Sequence, residues 1–87
     1  MENTMKHTWE YLIYQNRSDF ENGIFTFNES YYTNKKVCIN DCKQALKDMK
    51  CLCATVKIQS NDRESIDIYF AINKFGNVIF YQYEDKD

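Results

Sequence analysis

Hydrophobic and polar positions alternate over residues 8–15 (TWEYLIYQ), with Trp9, Tyr11 and Ile13 on one side and Leu12 and Tyr14 on the other. A period of two, rich in β-branched and aromatic residues, predicts a strand. Asn16-Arg17-Ser18-Asp19 reads as a turn or loop, with Phe20 folded back onto the core. After Gly23 the run IFTFNESYYT alternates again and predicts a second strand, paired antiparallel with the first. Asn34-Lys35-Lys36 breaks the pattern, and the period then changes. From Asn40 or Asp41, both good N-cap residue types, Cys42, Ala45, Leu46 and Met49 fall at the spacing of one helical face. Lys43, Gln44, Lys47, Asp48 and Lys50 fall largely on the other side, and the late lysines suit the negative end of the helix dipole.

Three further strands are predicted: 52–59 with Leu52, Ala54, Val56 and Ile58 inward, 65–73 with Ile66, Ile68, Phe70 and Ile72 inward, and 77–83 with Val78 and Phe80 opposite Ile79, Tyr81 and Tyr83. Ser60-Asn61-Asp62-Arg63 forms a polar hairpin loop, and Gly76 supplies a positive φ to the last turn. The predicted fold is α+β: a single small domain, 1–87, with a mainly antiparallel five-stranded sheet and one helix in the order ββαβββ. No linker or internal repeat divides it.

Widths then matter. Five strands at ~4.8 Å spacing span about 19 Å, whereas one helix covers ~10 Å. The first and last strands also carry large side chains on both faces, so one solvated and one dry face do not result. Either the sheet curls around its helix like half a barrel or the second face is covered by another chain. Residues assigned to that face are Trp9, Tyr11, Tyr69, Tyr81 and Tyr83.

Composition sharpens this picture. The 87 residues include one Trp, seven Tyr and six Phe, and rings with polar tips recur where one side packs and the other meets a partner. A net charge of −2, with both signs interspersed, lacks the basic footprint of nucleic-acid binding, so a base-stacking platform is disfavoured. No export signal and no membrane-length apolar run are visible, so a cytoplasmic location is expected. Nine Asn, nine Lys and eight Ile with no Pro suggest A/T-rich codons, as in some phages and bacteria; a phage product would act in the host cytoplasm.

Candidate chemistry centres on Cys38, Cys42, Cys51 and Cys53. Zinc is one reading, although the intervals depart from familiar zinc-binding pairs. Disulfides are another, disfavoured in a reducing compartment, and inert buried thiols are the favoured one. His7 is the only histidine, no glycine-rich phosphate loop or serine elbow occurs, and Asp62 with Glu64, or Glu84 with Asp85 and Asp87, read as solvated charge. No cofactor is expected.

The expected function is that of a small non-catalytic protein-binding module, an inhibitor or adaptor, acting through its sheet aromatics on a larger protein or a second copy of itself. The alternative is a small-molecule or nucleotide-binding module that stacks its ligand on Tyr and Trp rings. A zinc-stabilised cysteine cluster ranks below both.

Overall fold

A computed structural model describes residues 8–59, 68–74 and 76–83. The element order is β1 (Thr8–Tyr14), α1 (Arg17–Glu21), β2 (Phe27–Tyr32), α2 (Lys35–Asp48), β3 (Cys53–Gln59), β4 (Ile68–Lys74) and β5 (Asn77–Tyr83). The strands form one five-stranded sheet in the order β2-β1-β3-β4-β5, with every neighbouring pair antiparallel. The predicted α+β class and antiparallel sheet are therefore present, with one additional short helix.

Both helices begin where an asparagine satisfies a free backbone N–H. The Asn34 side chain accepts from the Val37 amide at 3.1 Å, so α2 starts at Lys35, with its cap nearly two turns before Asn40 or Asp41. Asn16 accepts from the Asp19 amide at 2.8 Å and opens α1 where a turn was predicted. The earlier start places Cys38 inside the helix, on the buried stripe shared with Cys42 and Leu46. Met49 falls at the C-cap and is 39% exposed, so it leaves the predicted stripe.

The α2 connection carries the chain from β2 to β3 over the intervening β1, and α2 packs chiefly on β1 and then on β3. Its stripe meets Tyr11, Ile13, Ala54, Val56 and Ala71, and these form the core together with Cys51. Ala54 and Ala71 are fully buried neighbours in the β3–β4 register, and small side chains there let the helix approach the sheet closely.

Strand parity follows from this contact and corrects two predictions. Ala71, not Phe70 or Ile72, is the β4 residue beneath α2; Phe70 and Ile72 pair with Thr55 and Cys53 on the other face. Leu52 precedes β3, links Gln15 and Asn73 through its backbone, and is 49% exposed where an inward position was predicted. The predicted split of β5 is observed, with Val78 and Phe80 packed on the core and Ile79 and Tyr81 exposed. Ile66 and the 60–63 loop lie outside the described residues.

Candidate functional site

Among the described residues the face of the sheet turned away from α2 is covered only in part, by α1. Phe20 of α1 sits edge-on to Tyr14 at 5.3 Å between ring centroids and tilts against Phe70 at 4.7 Å, so the predicted fold-back of Phe20 is observed. Arg17 places its guanidinium 5.9 Å from the Phe70 ring centroid. Tyr14, Cys53 and Thr55 on this face are buried. Toward β5 the cover ends: Ile79 is 39% and Tyr81 50% exposed, next to Ile72 and Phe70 in the cross-strand register.

The residues assigned by sequence to a single aromatic face are thus divided by the sheet. Tyr11 is buried on the α2 side, with its ring 5.9 Å from Tyr32 and 6.1 Å from Phe27. Trp9 packs half-buried against the same core. Tyr81 occupies the opposite face, so Trp9 and Tyr11 do not join it in one surface or one stacking slot. The correction has a simple cause: α2 lies over β1 and claims the Trp9, Tyr11 and Ile13 side of that strand. Tyr69 pairs with Val56 and Gln82, and Tyr83 with Ile68.

Tyr32 donates its hydroxyl to Asp41 at 2.9 Å, and burial, followed by that bond, pushes the Tyr32 hydroxyl pKa up. Burial is also the main cause that pushes Tyr11 up to about 12. The Trp9 indole N–H is buried without a hydrogen-bond partner among the described residues.

All four cysteines are buried free thiols. Burial, reinforced by Asp41, pushes Cys38 up to about 12, and burial followed by Cys38 does the same for Cys42. Burial likewise raises Cys51 and Cys53. A thiol kept protonated is a poor nucleophile and a poor metal ligand. Cys53 also pairs with Tyr14 on the α1 face, across the sheet from Cys38 and Cys42. Among the described residues no three Cys, His, Asp or Glu side chains are grouped to hold a metal ion.

A shallow cleft of about 390 Å³ lies between α2 and the start of β5, lined by Asn40, Lys43, Gln44, Lys47, Gly76, Asn77 and Val78. Its lining is mostly amide and ammonium groups, and Lys43 sits 5.4 Å from the Phe80 ring centroid. Among the described residues no helix is long and apolar enough to cross a membrane. No family model, curated protein or solved structure matches the chain.

The two sheet edges differ in a way the strand pattern alone did not show. On β2 the register shifts between Trp9 and Tyr11, and Tyr31 adopts φ 67 with its amide held by the Gln59 side chain at 2.8 Å. Such a bulge twists an edge out of reach of further pairing. By contrast, β5 pairs with β4 through all seven of its residues without a shift, and its sequence NVIFYQY contains no charge and no proline.

Proposed function

We propose that this protein is a non-catalytic protein-binding module whose docking surface is β5: its outer face at Ile79 and Tyr81 and its outer backbone edge. One observation carries the reading. Ile79 and Tyr81 are 39% and 50% exposed on a regular, uncharged edge strand, and among the described residues no strand pairs with its outer side. Alternate residues of such a strand direct N–H and C=O groups outward, where an added strand satisfies them. The neighbouring Ile72 and Phe70 extend the apolar surface, and Tyr81 is of the residue type that most often anchors an interface.

The test is affinity purification from the native source, followed by calorimetry with each purified partner. Tyr81→Ala should weaken binding about 30-fold, the scale of one aromatic anchor, while circular dichroism stays that of the wild type. Partners that bind Tyr81→Ala and Ile79→Lys as tightly as wild type would remove β5 from the proposal.

A further inference from the structure

We infer that the strand completing β5 is β5 of a second copy of this chain, added antiparallel about a two-fold axis. The inference rests on the reading of β5 as the docking edge, and it names the occupant and the register.

Parity restricts the possibilities. Paired residues in an antiparallel ladder lie on the same face of the sheet. A two-fold axis perpendicular to the sheet must therefore pass through a residue rather than between two. Were it to pass between Phe80 and Tyr81, a side chain on the α2 face would oppose one on the α1 face. Among the allowed centres, Phe80 is the midpoint of Asn77–Tyr83 and the only one that pairs all seven residues. That register sets Ile79 of each copy opposite Tyr81 of the other. Both are exposed in the single chain, and a β-branched residue facing an aromatic one is a favourable cross-strand pair. No charges oppose each other, because the strand has none.

In the centred register each strand ends beside the other copy's Asn77. The two copies of α2 lie on one face of a continuous sheet, and the bulged β2 strands form its outer ends. This contact is isologous and closed, so it ends at a dimer and does not propagate into fibres.

Sedimentation velocity of the full chain over a range of concentrations tests the inference, with two double variants that carry the same number of new charges. Ile79→Lys with Tyr81→Lys opposes two like-charged pairs across the axis and should weaken the dimer by about 100-fold. Ile79→Lys with Tyr81→Glu sets each introduced lysine opposite an introduced glutamate and should stay within about tenfold of wild type. Circular dichroism and urea unfolding check that both variants fold.

A wild-type chain that stays monomeric at every concentration overturns the dimer. If that monomer still loses a purified partner on Tyr81→Ala, the docking reading survives and only the second copy is excluded. A dimer that the two lysines leave intact places the contact elsewhere and overturns the inference, while the docking reading still rests on partner binding by Tyr81→Ala. A dimer lost equally in both double variants overturns the register.

Discussion

Replacing Phe20 by alanine isolates what holds α1 against the sheet. Five residues are too few to stay helical unaided, because nucleating a turn costs more than so short a helix recovers. The ion pair between Arg17 and Glu21, 3.4 Å apart and well exposed at both ends, adds little. The anchor is therefore the Phe20 ring against Tyr14 and Phe70. Two such contacts contribute about 0.5–1.5 kcal/mol each, and the half-buried ring adds about 1 kcal/mol of transfer free energy. Phe20→Ala should thus weaken the docking of α1 by about 2–4 kcal/mol. Cys53 is 3% exposed on the face that α1 covers, so its thiol reports the opening. A loss of 2 kcal/mol raises the open population about 30-fold. Thiol labelling under native conditions, with sites read by mass spectrometry, should show Cys53 reacting about 30-fold faster. Cys38 and Cys42, on the buried face of α2, should stay slow. If Cys53 keeps its wild-type rate, α1 is not its cover; if all thiols accelerate together, the variant opens globally and α1 is not an independent unit.

Other consequences are as direct. Asn34→Ala should cost about 1 kcal/mol in urea unfolding by removing the cap on the Val37 amide, whereas Asn40→Ala, mid-helix and exposed, should be near neutral or stabilising. Equal effects at the two positions would argue against the helix start at Lys35. Stability should also fall in alkali. Cys38 and Cys42 are raised from 9.0, and Tyr11 from 10.0, to about 12, so the folded chain holds protons that the unfolded chain releases. The contribution is complete below pH 9 and is lost as pH rises toward 12, so the urea midpoint should decline steadily between pH 9 and 11. A flat profile there would show that these groups titrate normally.

Strands were legible because a period of two is written into each of them, as in the Val78 and Phe80 alternation with Ile79 and Tyr81. The helix was legible only over its second half. Its first turn carries Lys35 and Lys36, which look like a break, although Asn34 is a cap type and Cys38 extends the stripe four residues before Cys42. Those two signals were sufficient to place its start. The short helix α1 offered only Asn16 as a cap and Phe20 as an anchor, too little to distinguish one helical turn from a loop. Alternation also says nothing about absolute parity: Phe70 and Ile72 flank Ala71, and the bulkier pair suggested the wrong inner face.

Local period, capping residues and the count of apolar side chains thus determined the elements, the α+β class and the presence of more aromatic surface than one helix can cover, because these depend on neighbours along the chain. Tertiary structure alone decided which rings remain exposed. The path of α2 over β1 buries Tyr11, Phe20 brings α1 onto Tyr14 and Phe70, and the strand order leaves β5 at the sheet's edge. Face and edge are relations between distant segments, set by where a helix lands and which strands find each other, and a residue's own sequence neighbours do not encode them.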